Sequence, residues 1–337
     1  MASLAFLYIF QEKFSAISGP GDLLRDKPIN LAEINGSAKL KLASNSNDEA
    51  KPRLRLAIQK EGRLTEHTLS LLRSIGLDFD SYKQRLFSTV RNFELDILYS
   101  RDDDIPEYLA SGTADLGVVG QNLIYEEGVD VEELAPVGFG HCALVVAVPK
   151  ESGITEIQQL NGKKIASSYP KSARKFLDKH NIQADLVNLS GAVELAPNLG
   201  VANAIVEITA TGSSLILNDL VAIHEILKSQ AVIAANHQSL AHPYKARNIE
   251  RLLVRIKAAL AAKQYKYIVM NAPRHKLEEI KKVVPGLKSP TIVPLADPDW
   301  VAVHTVVTED AFWEIMEQLK EAGAGGILVV PIEKILL

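Results

Sequence analysis

The stretch Ala204-Ile205-Val206-Glu207-Ile208-Thr209-Ala210-Thr211-Gly212-Ser213-Ser214-Leu215 joins an apolar run to a hydroxyl-rich turn. The run has strand length and composition, and it delivers one carboxylate, Glu207, just before the turn. Thr209, Ala210, Thr211, Gly212, Ser213 and Ser214 then surround a single glycine. Backbone N–H groups and hydroxyls at such a turn form a concave anion site that suits a terminal phosphate. Gly212 permits a close approach that a side chain would block. Glu207 can accept hydrogen bonds from the paired hydroxyls of a ribose. Composition alone leaves a second reading open, an ordinary strand followed by a Ser/Thr-rich turn.

Working outward, further strands are expected at Leu54–Ile58, Leu95–Tyr99, Leu116–Val119, Ala143–Val148, Lys164–Ala166 and Leu186–Leu189. Helical spacing falls between several of them. Leu64, Thr68, Leu71, Leu72 and Ile75 recur on one helix face, and Gly76 stands where that helix ends. Alternating strands and helices predict open α/β sheets, and the span is long enough for two lobes. Two loops that follow strands carry charge. Lys60 and Arg63 flank Gly62 and are candidates for polyphosphate or nucleotide contacts, against a solvated basic loop as the other reading. Arg101 and Asp102 follow Leu95–Tyr99, where open sheets place ligand contacts, although Asp102–Asp104 also suits a helix N-terminus. Tyr169, beside Pro170, can stack on a base or pack in the core. Glu194 is either a substrate contact or an exposed loop acid.

Residues 265–337 predict a separate unit with the order strand, helix, strand, strand, helix, strand, a split ferredoxin-like arrangement. A helix over Lys245–Lys263, with Ile249, Leu252, Leu253, Ile256 and Leu260 on one face, leads into it. Residues 1–52 hold Gly19-Pro20-Gly21 and a polar run without sustained period, and are expected to be a flexible extension.

Composition narrows the function class. The chain has 337 residues, 47% of them hydrophobic, enough for two or three cores. Its 37 basic and 41 acidic residues leave a net charge of -4, against a general nucleic-acid binder. Cys142 is the sole cysteine, which excludes an internal disulfide and fits a reducing cytosol; its strand reads as buried, with a packed thiol. No apolar run reaches membrane-spanning length, and Leu4–Phe10 makes a poor signal peptide. The histidines show no helical metal-site spacing, and Lys171, Arg174, Lys175 and Lys179 read as a solvated helix face.

Five collinear blocks carry a resemblance. Gly191–Gly200 with Ala204–Leu215 resembles the signature of the ATP phosphoribosyltransferase family. Gln59-Lys60-Glu61-Gly62-Arg63-Leu64, Arg101–Pro106, Ala114–Gly120 and Ile165–Pro170 resemble its other blocks, in order, from about Arg53 to Leu337. Three positions depart. The family usually has Asp where this chain has Asn203 and Glu207, and Thr where it has Ser214. Glu207 keeps the carboxylate and Ser214 the hydroxyl, whereas Asn203 loses a charge.

The resemblance implies a two-lobed, periplasmic-binding-protein-like catalytic body and a C-terminal ferredoxin-like (βαββαβ, ACT-like) domain. Lobe I is expected over 53–146 with a return near 225–240, lobe II over 147–224, a connecting helix over 241–264 and a regulatory domain over 265–337. It implies that N1 of ATP displaces pyrophosphate from phosphoribosyl pyrophosphate, the first step of histidine biosynthesis, with Mg²⁺ held mainly by substrate phosphates. Glu207 and Lys60 are the catalytic candidates. Residues 209–214 take phosphoribosyl pyrophosphate, and Arg63, Arg101, Asp102, Tyr169 and Glu194 take the nucleotide. Histidine inhibits through the C-terminal domain, the enzyme is cytoplasmic, and it assembles as a hexamer or a dimer, with neither nucleic acid nor membrane as partner. A phosphometabolite sensor without chemistry, or a catalytically weak regulatory paralogue, is the alternative.

Overall fold

The structure, a computed structural model, describes residues 52–80, 86–284 and 286–336. The expected flexible extension therefore lies, except for Pro52, outside the described residues.

The first sheet contains β1 (Leu54–Gln59), β2 (Phe87–Thr89), β3 (Leu95–Ser100), β4 (Leu116–Gly120), β5 (Glu132–Pro136) and a late strand, β11 (Ala231–Ala235), in the order β2-β3-β1-β4-β11-β5. The central three, β3, β1 and β4, run parallel, and β11 inserts antiparallel between β4 and β5. Both faces of β1 are covered, so it reads as a nearly continuous apolar run instead of alternating. Helix α1 (Thr65–Ser74) packs one face through Leu69, Leu71 and Leu72. Helices α2 (Ile105–Ala110) and α3 (Gln121–Glu127) cover the other through Ile105, Leu109, Leu123 and Ile124.

The second sheet holds β6 (Cys142–Pro149), β7 (Lys164–Ser167), β8 (Asp185–Asn188), β9 (Ala204–Thr209) and β10 (Leu220–Ser229) in the order β10-β6-β9-β7-β8. Helix α4 (Pro170–Lys179) buries Ala173, Phe176 and Leu177 against one face, and the short helix α5 (Ser213–Leu217) sends Leu215 to the other. A short α6 (His237–Ala241) precedes α7 (Pro243–Ala262), which returns to the first sheet and buries Ile249, Leu252 and Ile256 there. Each of these three contributes about 2 kcal/mol of apolar burial.

The third sheet belongs to the C-terminal unit: β12 (Tyr265–Pro273), α8 (Leu277–Val283), β13 (Thr291–Pro294), β14 (Trp300–Thr308), α9 (Phe312–Glu321) and β15 (Gly325–Pro331). Its order β13-β14-β12-β15 is antiparallel throughout, as a ferredoxin-like split unit requires.

Two expectations are corrected. The change of lobe expected at 146/147 falls inside β6, which pairs along its length with β9 and β10. The chain instead changes sheet over 137–141 and returns at Gln230, between β10 and β11. Strands β2, β5, β10 and β11 were not expected, although a return of the chain to the first lobe near 225–240 was. β2 has three residues, and β10 is a half-exposed edge strand whose pairing slips at two places, so its alternation is broken. Among the described residues no helix is long and apolar enough to cross a membrane.

Candidate functional site

Five strands end at one cleft. β1 ends at Gln59, β3 at Ser100 and β4 at Gly120; from the second sheet come β7, ending at Ser167, and β9, ending at Thr209. Ligands of open α/β sheets bind at this edge, where loops leave the ladder with amides and side chains free. A pocket of about 190 Å³ is lined by Arg63, His67, Asp102, Asn122, His141, Tyr169 and Ala210 among others. A compartment of about 350 Å³ is lined by Glu194, Glu207, Ile208, Thr209, Thr211, Ser213 and Ser214, and shares Arg63 and Ala210 with the first. A recess of about 450 Å³ holds Lys60, Tyr99, Arg101 and Asp104, and shares Asp102 with the first pocket.

The loop after β1 is tied by a residue that the sequence reading did not single out. The Gln59 side chain accepts from the Leu64 N–H at 3.0 Å and donates to Asp102 Oδ2 at 2.9 Å. A Cβ at Gly62 would meet that amide at 2.3 Å, and Gly62 has φ +143°. Only glycine lets residues 60–64 fold over Gln59, which sets Arg63 at the join of the two compartments.

The turn after β9 places Gly212 at φ +77° as the N-cap of α5. A Cβ there meets nothing within 4 Å, so the space beside it is open. The expectation of free amides is corrected at two positions. The Gly212 N–H donates to Thr209 Oγ1 at 2.9 Å and the Ser213 N–H to Thr211 Oγ1 at 3.4 Å. These are local hydroxyl turns of about 1 kcal/mol each, weaker than the charge-assisted bonds that a phosphate accepts.

Glu207 is half-buried. Ser168 Oγ donates to its Oε2 at 2.6 Å and the Ile208 N–H to its Oε1 at 2.9 Å. Burial, the largest influence, pushes the carboxyl above its ordinary range; the two donors oppose it and Glu194 adds to it. A folded-state pKa above the unfolded one means stability that is present at low pH and lost as pH rises through the folded value. Glu207→Gln should therefore raise the melting temperature at pH 8, with the gain shrinking towards pH 5. Calorimetric scans at the two pH values check this, and equal melting temperatures at pH 8 would overturn it.

Tyr169 packs against the apolar clusters of both sheets and lines the first pocket. Burial, then the charge of Glu207, pushes its hydroxyl well above the usual tyrosine range. Burial and its neighbours Asp102 and Asp104 likewise raise Asp103.

The structure thus brings Glu207, Thr209, Ala210, Thr211, Ser213, Ser214, Glu194 and Arg63 to one compartment, with Tyr169 and Asp102 in the adjoining pocket. Lys60 and Arg101 lie apart from Glu207, in the outer recess. Asn203 is exposed at the start of β9, about 20 Å along the strand from Thr209. Its Oδ1 accepts the Lys164 N–H at 3.0 Å, a contact to the start of β7 that an Asn and an Asp can make alike. Cys142 opens β6 half-exposed in the pocket lining, not buried as expected. Among the described residues no group of three or more His, Cys, Asp or Glu is placed to hold a metal ion.

The family model described as ATP phosphoribosyltransferase matches residues 101–258, and that described as HisG, C-terminal domain, matches 262–334. The chain is 44% identical over 283 residues to an ATP phosphoribosyltransferase of Cytophaga hutchinsonii, covering 84% of this chain and 98% of that protein. It is also 44% identical to one of Bacteroides thetaiotaomicron, covering 84% of this chain and all 100% of that protein. Among solved structures, the ATP phosphoribosyl transferase (HisG:HisZ) complex from Thermotoga maritima matches with TM-score 0.55 and 27% identity, covering 60% of this chain and 96% of that one.

Proposed function

Because the chain belongs to the ATP phosphoribosyltransferase family, in its long form with the C-terminal domain, we propose how its cleft performs that family's reaction. The activity joins ATP to phosphoribosyl pyrophosphate in the first step of histidine biosynthesis. In the proposed arrangement the turn 209–214 receives the 5′-phosphate, whose oxygens replace the loop's own hydroxyls as partners of the Gly212 and Ser213 amides. Glu207 accepts from the ribose hydroxyls. The nucleotide occupies the adjoining pocket against Tyr169 and Asp102, with Arg63 at the join and Glu194 reaching from the sugar-phosphate side. The observation that carries this reading is that the two compartments share Arg63 and Ala210, so two ligands filling them come into contact at one wall.

Transfer then needs no protein nucleophile. Holding N1 of the adenine in line with the anomeric carbon makes the reaction effectively unimolecular. Positive charge grows on the ribose ring, near Glu207, as pyrophosphate departs. Lys60 and Arg101, in the recess beyond Asp102, are proposed to contact the phosphates of the nucleotide, whose pocket that recess adjoins. The family uses a divalent metal. We infer Mg²⁺ carried on the substrate phosphates, where it neutralises leaving-group charge; the described residues offer scattered carboxylates rather than a cage. The C-terminal unit is proposed to bind histidine and inhibit, which requires that histidine favour one arrangement of the assembly over another. A hexameric or dimeric assembly and a cytoplasmic location belong to the same reading.

Purified protein with ATP, phosphoribosyl pyrophosphate and Mg²⁺ should form N1-phosphoribosyl-ATP, followed by its ultraviolet absorbance. Added histidine should suppress the rate, and a chain ending at Gln264 should lose that suppression. No product from folded protein would refute the residue assignments; inhibition that survives the truncation would refute the role of the C-terminal unit.

A further inference from the structure

Helix α3 belongs to the first sheet, yet both of its ends are gripped by the second. At its start, Ser229, the last residue of β10, accepts from the Asn122 N–H at 3.0 Å and donates to Asn122 Oδ1 at 2.9 Å. Beside it, the Gln121 N–H donates to the Gln230 carbonyl at 3.1 Å. At its end, Glu126 is 5% exposed and reaches across to α4. Its Oε1 accepts the Lys171 N–H at 2.8 Å, and its Oε2 accepts the Ser172 N–H at 2.7 Å and Ser172 Oγ–H at 2.5 Å.

These are the orphan donors of the first turn of α4. Pro170 has no N–H, and the N-cap Tyr169 supplies no side-chain cap, so the carboxylate that satisfies this helix start comes from the opposite lobe. Two outer contacts reinforce the crossing. Lys171 Nζ pairs with Glu127 at 2.5 Å, and Lys175 Nζ sits 4.6 Å from the centroid of the Tyr125 ring. The lysines expected on a solvated face therefore serve in part as an inter-lobe contact.

The residues just before α4 face the cleft. The Tyr169 N–H donates to Ser167 Oγ at 2.8 Å, and Ser168 holds Glu207. We propose that Glu126 is a positioning residue for the transfer reaction. By capping α4 across the lobes it sets the separation of the cleft walls, and with it the place of Tyr169 against the nucleotide pocket of the first lobe. This rests on the nucleotide lying against Tyr169, as proposed above. The phosphate turn 209–214 lies wholly in the second lobe and does not depend on the clamp. Losing Glu126 therefore weakens nucleotide use and turnover more than sugar-phosphate binding.

The test is steady-state kinetics of the full chain. Glu126→Gln keeps the shape but offers one acceptor oxygen to donors that use two. Its kcat should fall about tenfold and its nucleotide KM rise several-fold, the scale of one charged helix cap, while the phosphoribosyl pyrophosphate KM stays within about twofold. Glu126→Asp, which keeps charge and both oxygens, should recover part of the nucleotide KM. Hydrogen exchange at Lys171 and Ser172 should quicken in Glu126→Gln. Unchanged kcat and nucleotide KM would overturn the proposal, as would a rate that falls only with the fraction of folded enzyme while both KM values hold. Should Glu126→Gln not fold, Ser172→Ala removes the Oγ bond alone and is read in the same way, with shifts of about threefold. The wild-type rate in the same assay separates failure of this inference from failure of the reaction assignment.

Discussion

Gly212→Asp should abolish transfer, with product formation reduced by at least about three orders of magnitude and the fold intact. Two effects add. A non-glycine residue at φ +77° is strained by about 1–2 kcal/mol. A carboxylate placed about 5 Å from a phosphate costs about 3 kcal/mol for each phosphate charge at an effective dielectric near 20. Their sum exceeds the roughly 4 kcal/mol that a thousandfold loss represents. Nothing lies within 4 Å of a Cβ at this position, so the substitution meets no wall and should leave the circular dichroism spectrum unchanged. Gly212→Ala isolates the backbone strain and should retain about a tenth of the activity. If Gly212→Asp bound phosphoribosyl pyrophosphate with wild-type affinity by calorimetry, the turn would not be the phosphate site.

Asp115→Ala should produce the largest loss of stability, about 3–5 kcal/mol. Asp115 is fully buried at the start of β4. It accepts from the Arg55 N–H at 2.7 Å, from Ser239 Oγ at 2.7 Å and from Lys245 Nζ at 2.6 Å. The carboxylate thus ties two strands of the first sheet to α6 and to the first turn of α7. Its removal strands a lysine that is only 20% exposed. A fall of about 10 °C in melting temperature is expected at this chain length. Adding Lys245→Met should recover part of it, because the uncompensated charge is then gone. A fall of under about 2 °C for Asp115→Ala would show that the network is dispensable.

How much of this was legible before folding depends on whether the signal was local. β9 and the turn at Gly212 were readable because an apolar run, a carboxylate and a glycine follow one another in the chain. The ferredoxin-like unit was readable because its periods are regular and its turns short. β10 was not, since its pairing slips twice and most of it faces water. The lobe boundary was misplaced because β6 is apolar throughout and nothing local tells which sheet it joins. Gln59, Ser168 and Glu126 went unrecognised as organisers for a related reason. Each acts through a partner distant in sequence, Asp102, Glu207 and Ser172 respectively, and one polar residue in a strand end or helix shows no pattern. Asn203 misled in the opposite sense, as a lost charge that proves to sit on a strand start far from the cleft.

The insertion of β11 between β4 and β5 has a consequence for the nascent protein. Strands β6 to β10 are contiguous, so the second lobe is complete once Ser229 has emerged. The first lobe at that moment still lacks an inner strand, and the facing edges of β4 and β5 have no neighbour. At about 5–20 residues per second, the 115 residues from Gly120 to Ala235 leave those edges unsealed for about 6–23 s. A ribosome-bound chain halted short of Ala231 should therefore recruit holdase chaperones to its amino-terminal half, although that half is made first.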